Sequence, residues 1–232
     1  MNKIKELFLT IKFKEDITFC DLPQSLSYAL NMYFLGQKKL MDFHAEKYIK
    51  MYSYSHVIPK KNKYSKEDIG TFKIRFFDNE IFADFEKELY IRENPVFSVI
   101  SITSKYFTPG DFNIIKTDTP AVITIHKKYW IPNNEELDCI KDRIINNTIK
   151  KYNILNKTNE GYYDFIEKIE LVTKNFKPYS FTYKKGKILA NKFILHIKQD
   201  AKSKEIASVM FGAGLLEKNS LSFGFVSPME VI

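Results

Sequence analysis

Apolar and polar positions follow one layout twice along this chain. Over residues 3–13, Ile4, Leu7, Leu9 and Ile11 mostly alternate with polar neighbours, the period-two pattern of a half-buried strand. Asp21 is then expected to cap a helix, and Leu22, Leu26, Leu30 and Tyr33 make one apolar stripe that ends near Gly36. Residues 39–48 predict a second, short helix. Residues 51–57 and 70–77 read as strands. Over 80–91, Ile81, Phe85 and Leu89 recur at four-residue spacing, which predicts a helix face. The apolar, β-branched run 96–103 closes the set as a strand. The order is β-α-β-β-α-β, the ferredoxin-like arrangement of a sheet with helices on one face.

After Pro109 and Gly110 the pattern restarts. Strands are expected over 121–127, 166–173, 192–198 and 222–226, with a Lys-rich turn from Lys184 to Lys187 before the third. Helices are expected over 134–151, where Leu137, Ile140, Ile144 and Ile149 are apolar, and over 203–211. The chain is thus read as α+β, two tandem ferredoxin-like (RRM-like) domains. Residues 1–110 form the first and 111–232 the second, the junction falling between Tyr106 and Thr119.

Composition fits that size of core: 44% of the 232 residues are hydrophobic and 15% aromatic. The 20 Phe and 14 Tyr suit β-sheets first and a ligand-binding face second. The net charge of +8 adds a partner class, because such a chain attracts polyanions such as nucleic acid. The basic residues are lysines apart from Arg75, Arg92 and Arg143. An ammonium meets phosphate as a point charge, which suits backbone contact better than base reading. The competing reading is a lysine coat that serves solubility. Cys20 and Cys139 are far apart and the four histidines are scattered, so neither a zinc site nor a disulfide framework is expected. No metal or cofactor is predicted. With no bilayer-length apolar run and no secretory leader pattern, the expectation is a cytoplasmic protein without a membrane partner.

The strongest local signal is residues 211–226, FGAGLLEKNSLSFGFV. Gly212, Gly214 and Gly224 surround Lys218, Asn219 and Ser220, between an expected helix and an expected strand. Glycines let backbone approach a phosphate closely, and unpaired N–H groups can cradle it. The spacing is not that of a P-loop, and no strand leads directly into it as a dinucleotide fingerprint requires. A plain flexible turn is the alternative.

This segment resembles the C-terminal glycine-rich loop of the CRISPR-associated repeat-processing endoribonucleases, the sixth Cas family of the RAMP superfamily. KNSLSFGFV from Lys218 is similar to that family's ending, with Ser222 where a glycine is common. HAEKYIKMYSYSHVIP resembles the family's histidine, the lysine six residues later and the aromatic strand, which places His44 and Lys50 on catalytic positions. QSLSY from Gln24 matches a helical stretch that carries a tyrosine in the family, pointing to Tyr28; its spacing to His44 differs by one residue from the usual.

The resemblance implies metal-independent cleavage of precursor CRISPR RNA within the repeat. A ribose 2′-hydroxyl attacks the adjacent phosphate, leaving a 2′,3′-cyclic phosphate and a 5′-hydroxyl. His44 would act as general acid or base, Lys50 as charge stabiliser and Tyr28 as auxiliary. Gly212, Gly214, Lys218, Asn219, Ser220 and Gly224 would bind RNA. The partner implied is CRISPR repeat RNA; an effector (interference) complex and a homodimer stay open. His56, in the aromatic strand, competes with His44, while His126 and His196 read as structural or RNA-facing. A scaffold that binds RNA without cutting it is the alternative function. An ordinary base-stacking RRM fits less well, since the aromatic RNP pattern is absent.

Overall fold

A computed structural model describes residues 3–45, 49–77, 80–132, 137–172 and 177–229. β1 (Ile4–Phe13) is followed by the two-residue strand β2 (Ile17–Thr18) and by helices α1 (Leu22–Phe34) and α2 (Lys38–Ala45). Then come β3 (Tyr52–Tyr54), β4 (Lys63–Tyr64), β5 (Ile69–Phe77), helix α3 (Glu80–Ile91) and β6 (Phe97–Phe107). The main sheet runs β3-β5-β1-β6, antiparallel throughout, while β2 and β4 pair apart from it. This is the strand order of a ferredoxin-like domain. The period-two pattern of β1 buries Leu7, Leu9, Ile11 and Phe13, and the α1 stripe of Leu22, Leu26, Leu30 and Tyr33 is buried against the same core. Asp21 sits at the start of α1, but its carboxylate accepts from Thr18 Oγ1 at 2.5 Å and caps no helix N–H.

The second half repeats the order. β7 (Ile114–Thr117), a small hairpin of β8 (Thr124–Ile125) and β9 (Lys128–Tyr129), and helix α4 (Leu137–Asn156) come first. β10 (Ile166–Leu171), the hairpin β11 (Tyr179–Tyr183) with β12 (Gly186–Ala190), β13 (Phe193–Ile197), α5 (Ala201–Ala213) and β14 (Val226–Met229) complete it. The sheet order β10-β13-β7-β14 matches that of the first domain. The helices α4 and α5 supply Ile140, Ile144, Ile149, Ile206 and Phe211 to its core.

Two strands differ from the sequence reading. The opening strand is β7, not residues 121–127. Ala121, Val122 and Ile123 are buried and read as a strand, yet Ala121 and Val122 make single bridges to Asn191 and Glu217 while β7 holds the central ladder. The last strand begins at Val226, not Ser222, because Ser222 and Gly224 have φ of +66° and +68°, which a ladder does not accept. The expected helix end at Tyr48, helix start at Asn134 and strand end at Thr173 lie outside the described residues.

The domains share packing at their junction. Ile4 and Phe77, at the ends of paired strands in the first sheet, belong to the apolar cluster of the second domain. Arg75 on β5 donates Nε to Glu6 Oε2 at 2.5 Å and Nη1 to the Val226 carbonyl at 2.6 Å. Its guanidinium lies 3.7 Å and 4.5 Å from the ring centres of Phe107 and Phe225. A buried ion pair in the first sheet therefore reaches the edge strand of the second.

Candidate nucleic-acid interface and active site

The glycine-rich segment begins where α5 ends. Gly214 leaves the helix at φ +76°, and an added Cβ there would stand 2.5 Å from Asn219 Nδ2 and 3.0 Å from Ser53 Cβ. Gly224 closes the loop at φ +68°, where a Cβ would meet the Leu215 carbonyl oxygen at 2.0 Å. Both positions need glycine for conformation and for space. Between them Lys218 takes a left-handed conformation and starts a single 3₁₀ turn, Asn219–Leu221.

The loop is fastened from two sides. Asn219 is buried, and its Nδ2 donates to the carbonyls of Leu215 (3.0 Å) and Phe223 (2.9 Å). From the first domain, Ser27 Oγ and the Tyr54 hydroxyl both donate to the Ser220 carbonyl, at 3.2 and 3.0 Å. Ser53 Oγ donates to the Gly212 carbonyl at 3.1 Å. Burial pushes the phenols of Tyr52 and Tyr54 well above the ordinary tyrosine range, so both stay protonated donors. Of the six loop residues expected to bind, Lys218 and Ser220 are half-exposed. Gly212 is buried inside α5, with Phe77 where a Cβ would go, and Gly214, Asn219 and Gly224 are buried within the loop.

A cavity of about 250 Å³ opens beside the loop. Lys50 and Ile49 of the first domain line it on one side; Lys218, Asn219 and Ser220 of the loop and Asn147 of α4 line the other. Glu217 stands at its rim, held by Arg143 Nη2 (3.1 Å) and by the Thr124 hydroxyl (2.8 Å). Lys50 Nζ donates to the Phe43 carbonyl and lies 4.6 Å from the centre of that ring. His44 is on α2, its ring stacked on Phe34 with centroids 5.9 Å apart. Burial, then the charge of Lys50, holds the imidazole below the ordinary histidine value. Tyr28 follows Ser27 on α1 and is 53% exposed. Lys50 thus meets Lys218 and Ser220 across one cavity, His44 lies within the field of Lys50, and Tyr28 is one residue from the loop's anchor.

The other histidines stand elsewhere. His56 packs edge-on between Phe19 and Phe181, and its pKa falls to about 3, chiefly through burial and then through Lys192 and Lys60. His196 Nε2 lies 2.9 Å from Glu170 Oε1 on the next strand, and His126 sits in the β8–β9 turn. His56 also borders a larger cleft, about 480 Å³, between the domains. Lys60, Lys73, Lys116 and Lys192 line this cleft, with Asp118 as its carboxylate. Burial first, and then the charge of Lys60, pull the Lys192 ammonium below its ordinary value, against the attraction of Asp118.

Sequence reasoning missed Ser27, Tyr54 and above all Lys151, a lysine 1% exposed beneath the loop. The signal was present: Ile144, Thr148 and Lys151, at i, i+4 and i+7, form one buried stripe of α4, and a lysine there demands an explanation. Among the described residues no helix is long and apolar enough to cross a membrane, and no group of three or more His, Cys, Asp or Glu could hold a metal ion.

No family model matches this chain, and no curated protein matches it in sequence. Solved structures do. The product of a Cas6-related gene from Pyrococcus furiosus superposes with a TM-score of 0.71 at 19% identity, over 98% of this chain and 99% of that one. A RAMP protein described as binding different RNA substrates gives 0.71 at 16% identity, over 97% and 100%. A Cas6 product complex gives 0.67 at 11% identity, over 99% and 100%. Likeness over the full length at such low identity establishes a shared two-domain fold.

Proposed function

We propose that this protein is a Cas6-like endoribonuclease that binds CRISPR repeat RNA and cuts precursor CRISPR RNA within the repeat without a metal ion. The observation that carries the reading is the cavity where Lys50 of the first domain faces Lys218 and Ser220 of the loop, with His44 beside Lys50. A lysine from each domain, Lys50 and Lys218, lines one space large enough for a phosphodiester. The names of the structural neighbours, which include an RNA-binding RAMP protein and a Cas6 product complex, support the same substrate class. The basic cleft between the domains offers further phosphate contacts.

In this reading the neutral imidazole of His44 takes the proton of the attacking 2′-hydroxyl, a role suited to a histidine held below its ordinary pKa. Lys50 and Lys218 stabilise the extra negative charge of the pentavalent phosphate. The leaving 5′-oxygen takes a proton from the exposed Tyr28 hydroxyl or from water. The products are a 2′,3′-cyclic phosphate and a 5′-hydroxyl. The half-buried His56, packed between Phe19 and Phe181, serves the packing of the junction.

Single-turnover cleavage of repeat RNA at saturating protein, with chelator present, tests this. Wild-type protein should cut once per repeat, and a 2′-deoxy substitution at the cleavage site should abolish the product. His44→Ala should bind normally and cut on the order of 10²–10⁴ times more slowly. Tight binding with no product from the wild type would make the protein a scaffold. Full activity in His44→Ala with loss in His56→Ala would overturn the assignment.

A further inference from the structure

The loop that faces Lys50 has a foundation that neither its sequence nor the proposed chemistry accounts for. Lys151 on α4 is buried, and its Nζ donates to the carbonyls of Gly214 (2.7 Å) and Leu216 (2.8 Å) and to Asn219 Oδ1 (2.8 Å), with the Ala213 carbonyl at 3.4 Å. An ammonium has three N–H donors, and three close oxygens take them all. Every acceptor belongs to the segment from the end of α5 to the 3₁₀ turn. The arrangement is that of a cation coordinated by a loop, with a side chain in place of a metal ion.

We propose that Lys151 is the positioning residue of the RNA-binding loop, setting the path from Gly214 to Asn219 so that Lys218 and Ser220 face Lys50. The inference rests on the proposed RNA-binding function. Lys151 does not line the cavity and touches no RNA itself; Leu216 and Asn219, two of its acceptors, form the cavity wall next to Lys218 and Ser220. Asn219 joins the two halves of the device, since its Oδ1 accepts from Lys151 while its Nδ2 ties Leu215 to Phe223. Glu217 adds attraction through its charge. A residue kept merely to fill the core would be apolar here, because burying an ammonium carries a desolvation cost that only matching acceptors offset. An apolar side chain would leave two carbonyls and an amide oxygen buried without donors, and the loop would have to move to hydrate them.

The test compares wild type, Lys151→Met and Lys151→Arg, each checked for folding by circular dichroism and thermal melting. Amide hydrogen exchange of residues 211–225 without RNA reads the loop directly. Affinity and saturating single-turnover rate with repeat RNA read the consequence. Lys151→Met should lose loop protection at least tenfold while the sheets stay protected. Its RNA dissociation constant should rise at least tenfold, and its cleavage rate at saturation should fall as well, because the displaced loop carries Lys218, one of the two lysines that stabilise the pentavalent phosphate. Lys151→Arg, which keeps charge and donors, should recover most of the affinity. Unchanged loop protection in folded Lys151→Met overturns the proposal, and so does lost protection with unchanged affinity. Should Lys151→Met not fold, Asn219→Ala, which removes one acceptor and the cross-tie, must show the same losses or the proposal fails. If wild-type protein binds no repeat RNA, the functional reading falls, and the exchange measurement alone decides whether Lys151 positions the loop.

Discussion

Replacing Arg75 by Met probes the junction that places the two halves of the candidate site opposite each other. Arg75 and Glu6 are both about 2% exposed, and their contact is 2.5 Å. Removing one partner of such a pair leaves a buried carboxylate uncompensated, typically at a cost of about 3–5 kcal/mol. The Val226 carbonyl also loses its donor. One feature softens the loss: Lys105 Nζ lies 3.6 Å from the other Glu6 oxygen and is well exposed, so it can shift toward the vacated charge. The lower end, about 3 kcal/mol, is therefore expected. For a chain of this size that is a drop of about 6–12 °C in melting temperature. Glu6→Leu combined with Arg75→Met replaces the pair by apolar groups, and the Met would lie between the rings of Phe107 and Phe225. The double variant should recover to within about 1 kcal/mol of wild type. Urea unfolding followed by far-ultraviolet circular dichroism measures all three proteins. A single-variant loss under about 1 kcal/mol, or a double variant no better than the single, would refute the argument that a desolvated charge governs this junction.

Gly224→Ala should destabilise the fold by about 2 kcal/mol, from the left-handed conformation plus the 2.0 Å approach to the Leu215 carbonyl, and should weaken RNA binding; unchanged melting and affinity would mean that the loop path tolerates a side chain. RNA affinity should fall with salt at a log–log slope of about −4, as expected for roughly six single-strand phosphate contacts from Lys50, Lys218 and the four cleft lysines, and a flat salt titration would remove the basic surfaces as the binding face. With His44 as base, the cleavage rate should rise about tenfold per pH unit in acid and level off earlier than an unperturbed histidine would allow, because burial and the charge of Lys50 hold its pKa down; a rate that falls with rising pH through the same range would identify the protonated form as the active one.

How much of this was legible in the sequence depends on the range of the forces involved. The elements were legible where one periodic pattern met one sheet or one helix face. β1, α1 and α3 carry their burial in local order, so Leu7, Leu9 and Ile11, or Leu22, Leu26 and Leu30, announce an inward face without reference to the rest of the chain. The repeated β-α-β-β-α-β order follows from those local patterns. The strand over 121–127 failed because an apolar run reports burial, not pairing. Which buried run enters the central ladder was settled by β13 and β14, which arrive some eighty and more residues later. The loop was legible as glycines flanking Lys218 and Ser220, but its inner geometry was not. Gly224 meets the Leu215 carbonyl, Ser220 meets Ser27 and Tyr54, and Lys151 meets three oxygens, all across the closed tertiary structure. Local sequence determined which residues can lie on a surface or in a core. Only the tertiary structure decided that Lys50 faces Lys218, that Asn219 points inward and that a buried ammonium holds the loop, because long-range packing sets the distances on which hydrogen bonds and charges depend.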